Sequence, residues 1–237
     1  MNFNSPLLKG KIIKRYKRFL ADVELESGEL VTAHCPNTGS MKTCWKNGDT
    51  IYLSYHDNPQ RKLKYTWEYT KVKKGYIGIN TMRPNQIVFE AIEKGQIHQL
   101  NGYETIRREV KYGSKSKIDI LLETDQGKVK KKCWVEIKNV TMYLDDRDLL
   151  VFPDAVTARG LKHIKELENQ VKGGDRAVMF FLANRPEGKA FTPAKEIDPE
   201  YADALKKSQK NGVEILCYRV KPSLKGMTIG EEVPISI

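Results

Sequence analysis

With 237 residues, 40% of them hydrophobic, the chain is long enough for one large domain or two modest ones around a real core. Its longest apolar run, VMFFLA from Val178, falls well short of the roughly 18 residues of a spanning helix, and MNFNSPLLKG lacks a signal-peptide apolar stretch, so no membrane role and a cytoplasmic location are expected. The formal charge of +11 favours a polyanionic partner, nucleic acid above all, and four scattered cysteines without a C-x-x-C pair argue against a zinc cluster or a disulfide framework.

The basic excess is densest at the front, where residues 1–80 hold 14 Lys and Arg against 7 Asp and Glu, leaving 27 against 23 for residues 81–237. That first part has strand texture. IIKRYKRFLADVELESGELVTAHC alternates, turns at Ser27-Gly28 and returns, and TIYLSYHD and KYTWEYTKV are rich in β-branched and aromatic residues. About five short strands in this space predict a small barrel, of OB or SH3-like type. Within it KRYKRF interleaves bases with rings, so Lys14, Arg15, Lys17 and Arg18 are candidates to track phosphates while aromatics stack on bases. HCPNTGSM (34–41) reads as a loop whose Thr38 and Ser40 could help cradle an anion.

After Arg83 the periodicity becomes helical. Pro84 suits a first turn, Ile87, Val88, Ala91 and Ile92 recur on one face, and Gly95 stops the helix. A strand at Ile106–Lys111, two strands in KIDILLETDQGKVKKKCWVEIKN (117–139), a helix near Asp154–Val171, a strand at Ala177–Ala183, a helix at Pro199–Lys210 and a strand at Val213–Val220 follow. In the central helix Leu161, Ile164, Leu167 and Val171 form the apolar stripe, which puts Arg159, His163, Glu166 and Gln170 on the polar side. The whole is an α/β (α+β) chain, with a barrel over residues 1–80 and a mixed sheet with flanking helices over 81–237.

The two central strands carry an anomaly. Glu136 and Lys138 share one face of a strand that is otherwise apolar, and antiparallel pairing through the TDQGKVKKK turn brings Asp119 opposite. Two carboxylates and an ammonium at one edge suit a hard divalent cation, Mg²⁺ or Mn²⁺, with the lysine beside it to hold a water or offset charge on a phosphate. The bland alternative is a solvated ion pair, but the large apolar flanks of KIDILL and WVEIK argue for enclosure, where unpaired charge is expensive. Arg159 and His163, four apart on one helix face, with Lys162 nearby, are candidates to position phosphate, as are Arg107 and Arg108 ahead of Gly113.

IDILL at 118–122 with VEIKN at 135–139 resembles the D…E-x-K signature of the PD-(D/E)xK nucleases, with Ile118 where the name has proline. HCPNTGSM, DNPQRKLKYTWE (57–68), RPNQIVFEAI (83–92), RREVKYG (107–113), VEIKNVT (135–141) and FPDAVTARGLKH (152–163) together resemble the SfsA, or sugar fermentation stimulation, family over nearly the whole chain. The resemblance implies an N-terminal OB-like barrel, a PD-(D/E)xK nuclease-like domain and DNA binding. It puts metal ligation on Asp119 and Glu136, the catalytic lysine at Lys138 and an additional acid at Glu90. Two functions are expected from it: a metal-dependent nuclease acting on DNA or RNA, or a non-catalytic DNA-binding regulator of sugar-utilisation genes that retains the fold.

Overall fold

The computed structural model describes residues 1–112, 116–127 and 129–237; Gly113 and Lys128, within the stretches quoted above, lie outside the described residues. Strands β1 (Leu8–Tyr16), β2 (Leu20–Leu25) and β3 (Leu30–His34) alternate as expected, whereas β4 (Thr50–Tyr55) and β5 (Tyr65–Val72) are buried on both faces; together they turn Ile12, Val23, Ile51, Leu53 and Trp67 into a common core. They run in the order β3-β2-β1-β4-β5, and a short parallel pairing of Ala33 with Tyr65 and His34 with Thr66 closes an OB-like barrel. Strand β6 (Gly75–Gly78) adds to β5. The close approach of β1 to β2 requires a bare backbone at Gly10, where a Cβ would stand 2.7 Å from the Glu24 carbonyl oxygen.

From Pro84 the chain builds a six-stranded sheet in the order β15-β14-β12-β9-β8-β7, comprising β7 (Thr105–Tyr112), β8 (Ser116–Gln126), β9 (Val129–Val140), β12 (Arg176–Ala183), β14 (Glu214–Ser223) and β15 (Gly226–Glu232). The central strands β9, β12 and β14 are parallel, and an antiparallel hairpin partner flanks each side. Helix α1 (Pro84–Glu93) covers one face, and α2 (Ala158–Lys172) and α3 (Pro199–Lys210) cover the other. That double cover explains why β12 reads as an unbroken apolar run rather than an alternation. A small sheet of β10 (Met142–Leu144), β11 (Leu149–Phe152) and β13 (Ala190–Pro193) caps one end; each strand is three or four residues long, and the sequence reading did not detect them. Nor did it detect β15. No helix among the described residues is long and apolar enough to cross a membrane.

The two parts are tied together at several points. Residues 1–3, expected with the barrel, instead join the turn between β14 and β15: Asn2 bridges Gly226 and the Phe3 N–H donates to the Lys225 carbonyl at 2.9 Å. The Tyr69 hydroxyl of β5 lies 3.2 Å from the carbonyls of Ser223 and Gly226, and the Gly78 N–H donates to the Asn184 carbonyl at 2.7 Å. All four cysteines are free and buried, as expected of reduced structural thiols.

Helix α2 begins at Ala158, four residues later than the sequence suggested, because the preceding segment has other partners. The Thr157 side chain caps the helix by accepting from Gly160 N at 3.0 Å, while Asp198 caps α3 at Tyr201 N (3.0 Å) and also accepts from Thr157 N (2.8 Å). One buried carboxylate thus sets the start of both helices. At Gly160 a Cβ would stand 2.7 Å from Thr157 Cγ2 and 2.9 Å from Tyr201 Cε2. Gly160→Ala therefore reverses the usual sign. The gain of about 1 kcal/mol from helix propensity is outweighed by overpacking of about 1–3 kcal/mol, and calorimetry should show a lower melting temperature, not a higher one.

Candidate functional site

The ladder between β8 and β9 runs from Gln126 opposite Val129 to Ile120 opposite Val135 and stops there. Beyond this point β8 pairs only with β7 while β9 continues along β12, so the sheet forks at Asp119 and Glu136. Asp119 fills the fork: its Oδ2 accepts the Ile137 N–H at 2.7 Å and its Oδ1 accepts from Asn85 Nδ2, on the first turn of α1, at 2.8 Å. The face alternation of β8 slips here, since Ile120 and Leu122 join the α1 core and Ile118 the opposite one. Across the other ladder, Glu109 takes a left-handed φ of 54° at the register position facing Asp119. A non-glycine residue held there signals backbone strain beside the site.

Glu136 points to the α2 side and is 3% exposed. Its Oε1 accepts from Lys138 Nζ at 2.7 Å and pairs closely with His163 Nδ1, while its Oε2 is buried with no hydrogen-bond partner. The Arg159 Nε–H donates to His163 Nε2 at 3.4 Å, which assigns the ring hydrogen to Nδ1 and makes His163 a donor to Glu136. Lys138 Nζ lies 2.9 Å from the same Nδ1, two donors sharing one carboxylate oxygen. Burial pushes the Asp119 carboxyl up to about 6, helped by the charge of Glu136. Burial pushes Glu136 up as well, but its bond with His163 and the charge and bond of Lys138 outweigh this and hold it below the ordinary carboxylate range. Two acids that both feel the charge of Lys138 are thus driven in opposite directions.

The fork therefore brings together Asp119, Glu136 and Lys138 and adds Asn85 and His163. His163, expected on the polar side of α2 as a candidate to position phosphate, is 6% exposed and faces the sheet, because the polar notch at Glu136 accepts it where an apolar strand would not. Asn85 was missed, and nothing in its spacing marks it. Glu90 is not brought to the fork. It binds the Met1 amine at 2.8 Å, Gln86 Nε2 at 2.7 Å and Lys94 at 3.6 Å.

The basic candidates divide similarly. Strand β1 ends at Tyr16, and Lys17 and Arg18 form an exposed hairpin tip with φ of 48° and 65° instead of continuing an alternating strand. Lys14 is exposed, 3.4 Å from Asp22 and over the Tyr16 ring. Arg15 turns inward: its Nη2 reaches the carbonyls of Arg18, Asn37 and Gly39 at 2.7, 2.9 and 3.1 Å and so braces the 34–41 loop. The anion that loop holds is a side chain, since Ser40 N donates to Asp154 Oδ2 at 2.8 Å. Arg107 pairs with Glu123 at 2.6 Å, and Arg108 bonds Gln86 at 2.8 Å above the Phe89 ring. Arg159 and Lys162 remain exposed on α2, Lys162 being 3.6 Å from Glu166.

The donor set fits a hard cation. Among the described residues no three His, Cys, Asp or Glu side chains gather into a closed cage, whereas one or two carboxylates completed by water and substrate phosphate are what Mg²⁺ takes. The unpartnered Glu136 Oε2 is the specific oxygen left over, and Asp119 keeps lone pairs beyond its two accepted bonds.

An OB-like barrel ahead of a mixed sheet that forks at two acids and a lysine defines a two-domain class with a nuclease-like second domain. Residues 13–79 match the family model described as the SfsA N-terminal OB domain, and residues 82–226 match the sugar fermentation stimulation protein RE domain. The chain belongs to the SfsA family. It is 52% identical over 230 residues to a sugar fermentation stimulation protein homolog of Geotalea uraniireducens, covering 97% of this chain and 96% of that one. The homolog of Geobacter metallireducens is 48% identical over 236 residues, covering 99% of each. Among solved structures, that of Pyrococcus furiosus SfsA, described as a complex with Ca²⁺, superposes with a TM-score of 0.86 at 28% identity, covering 100% of this chain and 98% of that one.

The sign of Asp119's contribution to stability is testable. Its folded pKa of about 6 lies above the ordinary 3.8, so the folded state binds this proton more tightly than the unfolded state. The ionised carboxylate then destabilises the metal-free protein fully above pH 6 and not at all below about pH 4, by about 2–3 kcal/mol at the high end. In chelator, Asp119→Asn should raise the melting temperature by about 5 °C at pH 8. The advantage should vanish as pH is lowered to 4, as followed by thermal melts at each pH.

Proposed function

We propose that the chain is a divalent-metal-dependent hydrolase of phosphodiester bonds in nucleic acid, DNA or RNA, with its centre at Asp119, Glu136 and Lys138. The observation that carries this reading is the buried, unpartnered Glu136 Oε2, on a carboxylate whose charge acts on Asp119 across the fork. A charged oxygen left without a donor costs several kcal/mol, and a cation shared with Asp119 removes that penalty. The Ca²⁺ complex of the Pyrococcus furiosus relative supports a divalent ion in this fold, and Mg²⁺ or Mn²⁺ suits the same oxygens. Such an ion, when bound, would polarise a phosphate oxygen and lower the pKa of a water.

The chain's own residues supply the rest. Asn85 and the Ile137 N–H fix both oxygens of Asp119, so that carboxylate is oriented before any ligand arrives. His163 fixes Glu136 Oε1 from the opposite face and leaves Oε2 free. Of the three hydrogens on Lys138 Nζ one is spent on Glu136, and the others are available to a phosphate oxygen or an attacking water. Arg159, exposed at the mouth of α2, is placed to meet a flanking phosphate.

The decisive assay incubates linear, nicked and single-stranded DNA, and RNA, with Mg²⁺ or Mn²⁺. Wild-type protein should cleave at least one of them, and Lys138→Ala should be slower by about 10²–10³-fold. Calorimetry should show Mn²⁺ binding to wild type and none to the Asp119→Ala, Glu136→Ala double variant. Equal metal affinity in both, or no cleavage of any substrate by the wild type, overturns the reading in favour of a protein that acts by occupancy.

A further inference from the structure

A cleft of about 230 Å³ on the barrel, outside the catalytic cluster, is lined by His34, His56, Arg61, Thr66, Asn80, Met82 and Arg83. Every side chain there except Met82 can carry an N–H or O–H donor. The acid of this region, Glu68, is 0% exposed and fully committed. Its Oε1 accepts from Ser54 Oγ (2.8 Å), Asn80 Nδ2 (3.1 Å) and Arg83 Nη2 (2.6 Å), and its Oε2 accepts from Asn80 Nδ2 and Arg83 Nε, both at 3.1 Å. Glu68 therefore balances Arg83 and leaves the charge of Arg61 unmatched. The Arg61 guanidinium makes one hydrogen bond, from Nη2 to the uncharged Thr66 Oγ1 at 3.2 Å, so its Nε and Nη1 have no partner among the described residues. Burial and the Arg61 charge hold His34 and His56 below the ordinary imidazole range, the response of a base to positive potential.

The cleft has a defined relation to the fork. A second, smaller cleft of about 150 Å³ is lined by Asn37, Thr81, Asn139 and Asp154, among others. Segments 34–37 and 80–83 supply walls to both, and the Thr81 hydroxyl donates to the Pro36 carbonyl at 3.0 Å between them. Arg83 stands two residues before Asn85, which holds Asp119, while Asn139, next to Lys138 on β9, faces the other side of that strand. A strand of nucleic acid lying along this path would meet donors at the barrel and the carboxylate centre at the sheet.

We propose that the His34–His56–Arg61 cleft is a phosphate site of the barrel, taking a phosphate of the same strand that is cut at Asp119, Glu136 and Lys138. It rests on the hydrolase reading for the identity of that strand. Arg61 supplies the fixed charge and a planar fork of donors, and the His34 imidazole supplies an N–H group at the rim, whereas the His56 ring is turned to Ser54 Oγ through Nε2 at 3.2 Å. The hairpin tip at Lys17 and Arg18, by contrast, offers charge without walls.

Binding is measured without metal, so that cleavage plays no part: fluorescence anisotropy in EDTA with labelled single-stranded DNA and RNA, each with a 5′-hydroxyl or a 5′-phosphate. Arg61→Gln and His34→Gln are the variants, because neither side chain belongs to the Glu68 network, and thermal melts check that both fold. Arg61→Gln should weaken binding about fivefold or more and lower the slope of log K against log salt by about 1. An equal loss with both 5′ ends assigns an internal phosphodiester; a loss confined to the phosphorylated strand assigns a terminal phosphate. Both outcomes support the site. Inorganic phosphate should shift the His34 and His56 imidazole resonances of the wild type and leave His163 in place. Arg61→Gln binding within twofold of wild type overturns the proposal alone, whereas intact binding without metal-dependent cleavage overturns the hydrolase reading alone. Failure of the wild type to bind any strand overturns both.

Discussion

The site depends on a backbone N–H that the sheet cannot satisfy. Where β8 and β9 part company after the Ile120–Val135 pair, the Ile137 N–H faces the fork, and a buried amide left without an acceptor costs about 1–3 kcal/mol. Asp119 accepts it through Oδ2. That single bond holds a carboxylate where burial alone would favour its neutral form, and it fixes the distance between the two strands at the point where Glu136 begins its turn towards α2. Asn85 is then needed on the other oxygen, and the strained Glu109 faces Asp119 at the corresponding position of β7. The strain and the raised carboxyl pKa are two expressions of one departure from regular pairing.

Support for Glu136 comes from the opposite layer. Its partner His163 is delivered by α2, whose start is set by the Thr157 cap, itself held by Asp198 at the start of α3. The bare Gly160 lets Tyr201 of α3 approach α2 closely. A chain of contacts thus runs from one helix cap to one carboxylate oxygen. Asp119 is oriented through α1 and Glu136 through α2, so the two acids are held by separate hydrophobic cores on either side of the sheet. Such pinning from both sides favours a preorganised arrangement, since neither carboxylate can relax towards the other without disturbing its own core.

The parts of this arrangement that follow a local period were legible in the sequence. A strand period of two places Glu136 and Lys138 together, and the polar turn of TDQGKVKKK implies the hairpin that brings Asp119 across; the barrel strands and α3 follow from the same patterns. What escaped was set by distant partners. His163 reads as a phosphate contact on the polar side of α2, and its bond to Glu136 escaped because an amphipathic helix is normally judged against an apolar sheet, whereas here the sheet has a polar notch. Arg15 reads as a phosphate contact because its neighbours are basic, yet three carbonyls of a loop more than twenty residues away or just beyond the turn claim its guanidinium. The short strands β10 and β11 form a local hairpin that β13 joins from later in the chain, and none of the three has an alternation long enough to recognise.

The joint between barrel and sheet shows the same economy of charge. Glu68 lies on β5 of the barrel, and Arg83, its bidentate partner, is the residue that opens α1. A buried ion pair of this kind adds little net stability over an apolar substitute, but removing one partner costs about 3–5 kcal/mol. Its consequence is therefore geometric: the barrel holds the first turn of the helix that presents Asn85 to Asp119. Ser40 with Asp154 repeats the device on the other side of the joint, just ahead of the segment that caps α2. Both helices that orient the carboxylates are thus anchored to the barrel by an anion accepting from the other part of the chain. A displacement of the barrel would reach Asp119 through Arg83 and α1, and Glu136 through Asp154 and α2, so the barrel and the fork form one mechanical unit.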